Sequence, residues 1–179
     1  MKSNIYPMYT KDIYLRALDR KDIEQNTLWI NSEYVSDIMG YLPFMPITQQ
    51  FEWWEKLKTD IKRYIFAICL KDGDKYIGNI GLGNINYVSR HAMISIFIAD
   101  RSNHGKGMGS DAMRLIMVFA FERLNLNKVY LQASSRFVAA IKMYENLGFK
   151  KEGIMRQHYY SNGEYEDKIL YSILRDEFA

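Results

Sequence analysis

The spacing of hydrophobic residues predicts an alternation of strands and helices along the chain. Hydrophobic residues recur at about every second position in the expected strands, which are residues 13–18, 64–70, 76–86, 91–99, 128–134, 149–161 and 165–174. They recur at helical spacing in the expected helices, which are residues 22–31, 32–39, 48–61, 113–124 and 138–147. This order is typical of a mixed α/β fold with helices on both faces of one sheet.

Capping residues and helix breakers indicate where these elements begin and end. Asp19 and Thr48 are expected to cap the helices that follow them. Gly148 is expected to end the last helix, and Asn162-Gly163 is a strong signal for the turn of the final hairpin.

The composition indicates one folded domain over residues 1–179. Hydrophobic residues make up 48% of the chain and charged residues 25%, which suits a packed core and argues against disorder. No apolar run reaches the length of a membrane span and the N-terminal residues lack an apolar signal core, so we expect a cytoplasmic protein that does not bind membranes. The net charge of +3 is too small to indicate nucleic-acid binding.

Cysteine and histidine usage excludes two further classes of site. The single cysteine, Cys69, rules out an intrachain disulfide framework, and its place on a predicted strand indicates an inert core residue. The three histidines are scattered along the sequence, so no metal site is expected.

The chemically most informative segment is a glycine-rich loop between a predicted strand and a helix that starts at about Ser110. The three glycines alternate along the loop and are Gly105, Gly107 and Gly109. Alternate glycines let successive backbone N–H groups converge, and a helix N-terminus adds partial positive charge. With Arg101 and Lys106 nearby, the loop predicts a site for a phosphate or pyrophosphate, although a flexible surface loop is the simpler alternative. The spacing excludes a P-loop, and the position after several strands excludes an opening dinucleotide-binding unit.

Three segments of the chain carry a resemblance to one enzyme family. The segment HGKGMGSDAMRLIMVFAFERLNLNKVYLQ resembles the acetyl-coenzyme A motif of the Gcn5-related N-acetyltransferases, Arg/Gln-x-x-Gly-x-Gly/Ala. The segments KMYENLGFKKEGIMRQHYYSNGEYEDKILYSIL and YLRALDRKDIEQNTLWIN resemble the subgroup that contains ribosomal-protein and spermidine N-acetyltransferases. The resemblance covers residues 13–174. It implies a single domain with a central, mostly antiparallel sheet of about six or seven strands whose central pair is splayed.

The resemblance also implies that acetyl-coenzyme A is the co-substrate and that backbone groups bind it. Amides of the glycine-rich loop would bind the pyrophosphate, and the strand before the loop would pair with the pantetheine arm and polarise the thioester carbonyl. The residues given this role are Ile96, Phe97, Ile98, Ala99, His104, Gly105, Lys106, Gly107, Met108, Gly109, Ser110 and Ala140. The asparagine that often starts the last helix in the family is replaced by Phe137, so its side-chain contact cannot be transferred.

The family resemblance supplies a general acid but no general base. Tyr144 stands ahead of Leu-Gly-Phe, where a tyrosine of the family protonates the leaving thiolate; a packed core tyrosine is the alternative. The place of the family's usual glutamate is taken by Met93, which cannot accept a proton. The remaining nominations for the base are His91, Glu33, Asp37 and Glu52, beside proton loss to water.

The N-terminal helices form one wall of the acceptor groove in this family. The residues nominated there for acceptor binding are Trp29, Glu33, Asp37 and Trp53, although core packing or solvated helix faces also explain them. His91, at the start of a predicted strand, is nominated beside them, with an exposed and idle side chain as the alternative. The implied reaction is direct transfer of acetyl, in a ternary complex, to the primary amine of a small molecule such as a polyamine or an amino sugar. The alternatives are acetylation of a protein N-terminus, as in a ribosomal protein, and an acyl-coenzyme A binding module without turnover. The resemblance is also compatible with a homodimer.

Overall fold

The computed structural model describes residues 8–40, 44–161 and 163–178. Their strands are β1 (Ile13–Ala17), β2 (Tyr64–Leu70), β3 (Tyr76–Asn86), β4 (His91–Ile98), β5 (Lys128–Ser134), β6 (Lys150–Ser161) and β7 (Glu164–Leu174). Their α-helices are α1 (Ile23–Ile30), α2 (Glu33–Met39), α3 (Ile47–Leu57), α4 (Met108–Val118) and α5 (Val138–Asn146). Asn162 of the predicted hairpin turn lies outside the described residues, and the hairpin of β6 and β7 is present.

All seven strands form one sheet in the order β1-β2-β3-β4-β5-β7-β6. Every neighbouring pair is antiparallel except β4 and β5, which are parallel. The mixed α/β fold with a mostly antiparallel sheet is thereby confirmed.

The two faces of the sheet are covered by different helices. Alternation along β2 sends Ile68 to a large core that contains the buried residues of α4 and α5, and sends Ala67 and Cys69 to a smaller cluster beneath α3. Cys69 is fully buried, as expected for a core residue.

Local capping explains where the N-terminal helices begin. Asp19 and Asp22 form a capping box, and a short 3-10 turn leads into α1. The expectation that Thr48 caps α3 is wrong, because Pro46 occupies the N-cap and the helix begins at Ile47. The helix ends at Leu57, so Ile61 does not extend its apolar stripe and is 69% exposed.

A chain of buried amides joins α1 and α3 to the sheet. The Asn26 Nδ2 donates to Gln50 Oε1 at 3.1 Å, and Asn79 Nδ2 donates to Asn26 Oδ1 at 2.7 Å. The Tyr76 hydroxyl completes the chain by donating to Asn79 Oδ1 at 2.6 Å. Because Asn26, Gln50 and Asn79 are all buried, these bonds satisfy groups that water cannot reach.

We expect Asn26→Ala to lower the free energy of unfolding by about 2 kcal/mol, because it strands the buried amides of Gln50 and Asn79. Urea unfolding followed by circular dichroism measures the change. The neighbouring, exposed Gln25→Ala is the control and should change stability by less than about 0.5 kcal/mol. Equal stability losses in the two variants would contradict a structural role for the amide chain.

No helix in the described parts of the chain is long and apolar enough to cross a membrane.

Candidate active site

A V-shaped gap opens between β4 and β5 at the centre of the sheet. The two strands pair only at His91–Lys128, Ala92–Val129 and Met93–Tyr130. Beyond these rungs β4 stays paired with β3 as far as Ile98, and β5 stays paired with β7 as far as Ser134. The predicted splay is thus present, and each side of the gap carries backbone groups on an edge that has no neighbouring strand.

The glycine-rich loop and the start of α4 lie at the open end of this gap, directly after β4. Gly107 is the N-cap of α4 with φ of 83°, a left-handed conformation that glycine adopts without strain. No side chain of the described structure caps the helix, so the amides of its first turn are not used by a capping group. A Cβ built on Gly105 or on Gly107 meets nothing within 4 Å, so the space in front of the loop is open. This arrangement suits a bound anion.

His104 is placed differently from the expectation that it contributes its backbone amide. That amide already donates to the Arg101 carbonyl at 3.0 Å, which closes a 3-10 turn. The imidazole Nε2 instead lies 2.9 Å from the backbone oxygen of Ile98, at the end of β4. His104 therefore ties the loop to the strand through its side chain.

Helix α5 lies against the start of α4 on the large-core face of the sheet. A Cβ built on Gly109 would lie 3.2 Å from the sulfur of Met143, so the absence of a side chain there permits the close approach. Ala140 is half-buried and packs against the large core one turn earlier in α5. The two helices therefore border one side of the loop.

Tyr144 is buried on the same helix, with 9% of its surface exposed. Its ring contacts Phe149 and Tyr171, at centroid distances of 6.0 Å and 6.5 Å, and Tyr171 is the β7 partner of Leu131 on β5. Burial raises the pKa of Tyr144 to about 12, so the phenol is protonated at neutral pH. It holds a proton that it can donate, but it is a weaker acid than an exposed tyrosine.

Aromatic side chains cover β4 on the opposite face of the sheet, where α1 packs. The ring of Trp29 lies 4.5 Å from that of Tyr76 and meets Phe97 edge-on at 6.2 Å. Trp29 is half-buried, so it forms an apolar surface beside the open part of β4. Of the aromatic residues nominated for the acceptor, Trp29 is the one in contact with a strand of the gap. Trp53 packs instead against the smaller core cluster beneath α3.

The nominated carboxylates have different surroundings. Asp37 forms an ion pair with Arg136 and accepts a hydrogen bond from Ser161 Oγ at 2.7 Å. Burial acts to raise the pKa of Asp37, but hydrogen bonds from Arg136 and Ser161 outweigh it and hold the pKa below its ordinary value. Asp37 is therefore a poor base, whereas Glu33 and Glu52 are exposed on α2 and α3.

His91 lies at the closed end of the gap, far from the loop. It forms the first rung with Lys128, about 23 Å along the strand from Ile98. Its ring packs edge-on against Tyr130, and its Nδ1 is buried without a hydrogen-bond partner in the described structure. This position separates His91 from the other nominated residues.

Two residues that sequence reasoning did not select contact the site. Arg136 pairs with both Asp37 and Glu166, at 2.9 Å from the latter, and stacks over the ring of Phe137, which is the N-cap of α5. Tyr34 lies beneath Arg101 and beside His104. The partners of both residues are remote in sequence. The one sequence signal for their role was that each lies in or next to a predicted element that borders the gap.

Comparison with known proteins agrees with this geometry. Residues 15–170 match the acetyltransferase (GNAT) domain family. The chain is 30% identical over 167 residues to spermidine N(1)-acetyltransferase of Escherichia coli (strain K12), covering 93% of this chain and 88% of that protein. A solved structure of spermidine N-acetyltransferase from Vibrio cholerae in complex with CoA and spermine superposes with a TM-score of 0.89 at 27% identity, over 94% of this chain and 98% of that one. A dodecameric structure of the Vibrio cholerae enzyme superposes with a TM-score of 0.81 at 26% identity, over 93% and 96%. The chain belongs to the GNAT family and is an N-acetyltransferase.

Proposed function

We propose that the chain transfers acetyl from acetyl-coenzyme A to a primary amine of a small molecule, with a polyamine as the first candidate. The observation that carries the proposal is the gap between β4 and β5, which opens towards an uncapped helix N-terminus with free space before Gly107. The similarity to spermidine acetyltransferases, one of them solved with CoA and spermine, supports both the donor and the acceptor class.

In the proposed reaction, backbone groups bind the donor and stabilise charge. Amides at the start of α4 hold the pyrophosphate, and the edge of β4 at Ile96 and Phe97, which has no neighbouring strand, pairs with the pantetheine arm. An amide of that edge donates to the carbonyl oxygen as negative charge develops on it. These donors are fixed by the pairing of β4 with β3, so they need little reorganisation during the reaction.

Proton transfer is assigned to Tyr144 and to solvent. The amine attacks the thioester carbon, the C–S bond breaks and Tyr144 supplies a proton to the sulfur. The proton that the nitrogen loses as the amide forms passes through water to the Tyr144 phenolate, which restores the acid. The acceptor is an ammonium ion in neutral solution, so it must lose a proton before it can attack. Because Met93 cannot take it and Asp37 is paired with Arg136, we propose that water in the open gap accepts this proton.

The acceptor wall is assigned to the aromatic surface around Trp29 and to the exposed Glu33. The aromatic rings supply apolar contact for methylene groups, and a carboxylate attracts a second ammonium group of the acceptor. The homodimer stays a prediction, and the dodecameric Vibrio cholerae structure supports self-association of some form.

An acceptor panel tests the proposal. With acetyl-coenzyme A we expect kcat/KM for spermidine to exceed that for glucosamine, and for a peptide with a ribosomal-protein N-terminus, by about fivefold, since an exposed carboxylate–ammonium contact contributes up to about 1 kcal/mol. A preference for the peptide would favour N-terminal acetylation. Calorimetric binding of CoA without turnover of any amine would favour a binding module.

A further inference from the structure

Helix α2 lies across the open end of the gap and contacts both of its sides. The contacts are made by Tyr34 and Asp37, which are three residues apart and therefore project from neighbouring positions on the helix surface. Three rungs alone pair β4 with β5, so contacts elsewhere must help to fix the distance between the two halves of the sheet.

The first contact joins α2 to the β4 side. The guanidinium carbon of Arg101 lies 4.4 Å from the ring centroid of Tyr34, within the range of a cation–π interaction. The Tyr34 hydroxyl lies 3.4 Å from His104 Nε2, and that nitrogen is 2.9 Å from the Ile98 oxygen. The Tyr34 ring thus contacts both Arg101 and His104, and His104 connects it to the last residue of β4.

The second contact joins α2 to the β5 side. Asp37 is paired with Arg136, which follows β5 and also pairs with Glu166 on β7. Two residues of β6 reach the same position: Ser161 Oγ donates to the Asp37 carboxylate, and the Tyr159 hydroxyl donates to the Asp37 backbone oxygen, both at 2.7 Å. Asp37 is therefore bonded to the β5-β7-β6 half of the sheet.

The short helix between these contacts is held in place by buried side chains and by caps at both of its ends. Val35 and Ser36, which lie between the two contact residues, are buried. Ser32 caps the helix, and Gly40 ends it in a left-handed conformation against the ring of Tyr159, which a built Cβ would approach to 3.2 Å. Because α2 is held along its length, a displacement at one end is transmitted to the other.

We propose that α2 is a crossbar that sets the width of the gap, with Tyr34 and Asp37 as positioning residues for acetyl-coenzyme A. This proposal rests on the proposed function in one respect, namely that the gap receives the donor. Because the crossbar works only when both ends are attached, release of either end abolishes its effect. The two residues are therefore energetically coupled although they contact different halves of the sheet.

Calorimetric titration with CoA and with acetyl-coenzyme A, in the absence of amine, tests the coupling in Tyr34→Leu, Asp37→Asn and the double variant. Each single substitution should raise the dissociation constant by about fivefold, which corresponds to ~1 kcal/mol for a partly exposed contact. The double variant should also raise the dissociation constant by about fivefold. Two independent contacts would instead raise it by roughly 25-fold. In turnover assays KM for acetyl-coenzyme A should rise likewise, while kcat stays within about twofold.

Two further variants separate positioning from general damage to the fold. Tyr34→Phe keeps the ring over Arg101 and beside His104, and loses only the long 3.4 Å contact of the hydroxyl, so it should bind the donor to within about twofold of wild type. Glu55→Gln removes an exposed ion pair with Lys58 on α3 and should leave binding unchanged. Because no amine is present, a direct role of Asp37 in acceptor binding would not alter these values.

Each outcome of the titration supports or overturns a specific claim. Variants that melt at lower temperature but bind the donor as wild type does would overturn the crossbar and leave the proposed function standing. Multiplicative effects in the double variant would also overturn it, because they show two independent contacts. A wild-type protein that produces no heat with either ligand would overturn the proposed function and the crossbar together.

Discussion

Tyr144→Phe is expected to lower kcat by about 100-fold and to change KM for acetyl-coenzyme A by less than about twofold. The substitution removes the hydroxyl that we propose protonates the leaving sulfur, and it keeps the ring between Phe149 and Tyr171. The expected effect lies at the lower end of general-acid contributions, because a thiolate is a stable leaving group and burial makes this phenol a weaker acid. Steady-state kinetics with spermidine, or with any acceptor that is turned over, measures it.

A second buried tyrosine supplies the control for this variant. Tyr171 contacts the same ring from β7, and its hydroxyl donates to Glu145 Oε1 at 2.9 Å. Tyr171→Phe removes a hydroxyl from the same neighbourhood and should leave kcat within about twofold of wild type. If the two variants lose kcat equally, or if Tyr144→Phe is as active as wild type, Tyr144 is a packing residue and its assignment as acid is wrong.

The pH dependence of kcat gives an independent measurement on the same residue. The pKa of Tyr144 is raised to about 12, so the donor form is fully present at neutral pH and is lost only as pH rises towards that value. We expect no loss of activity from this group below about pH 11. The unfolded phenol titrates near its ordinary value of about 10, so the raised pKa favours the folded state below pH 10 and ceases to do so as pH passes through 12.

Gly107→Ala is expected to raise KM for acetyl-coenzyme A by about tenfold or more. The added Cβ meets no protein atom within 4 Å, so it projects into the space assigned to the pyrophosphate. The left-handed backbone, with φ of 83°, adds strain of about 1 kcal/mol that lowers stability in the absence of any ligand. Steady-state kinetics with varied acetyl-coenzyme A and thermal unfolding without ligand measure the two effects.

Gly73 allows the strain to be separated from the loss of binding. It has φ of 73° in the turn between β2 and β3, and a Cβ built there also meets nothing within 4 Å. Gly73→Ala should lower stability by a similar amount, about 1 kcal/mol, with no change in KM. An equal change in KM in both variants would show that the effect of Gly107→Ala comes from the fold and not from the phosphate site.

Strand positions followed closely from the sequence because one physical rule determines them. Residues 64–70, 76–86 and 128–134 have the bounds that the sequence predicted, because successive side chains of a strand point to opposite faces of the sheet and turn residues bound the strands. The start of α4 was harder to predict from the sequence, because Gly109 lies inside the first turn and glycine is a poor helix former. The helix begins at Met108 because Gly107 takes the left-handed N-cap conformation. The spacing of hydrophobic residues gives no information on that conformation.

The site was predictable where backbone carries the chemistry and less so where side chains meet across the fold. The glycine loop could be identified from local residues, because it depends on backbone conformation, whereas the splayed strands were implied by the family resemblance. The pairing of Asp37 with Arg136, however, brings together residues about a hundred positions apart, and no local pattern encodes it. Asp37 was nominated as a free carboxylate for the same reason. The side chain of His104 likewise reaches a backbone oxygen that only the folded loop brings near.

The pairing of β4 with β5 at only three positions also affects the thermal stability of the molecule. A donor whose extended arm lies in the gap would act as an additional strand and would replace the backbone bonds that the two halves do not make with each other. Occupancy would then protect the weakest junction of the sheet, and by mass action the melting temperature would rise with ligand concentration. Catalysis and thermal resistance would in this way depend on the same opening in the fold.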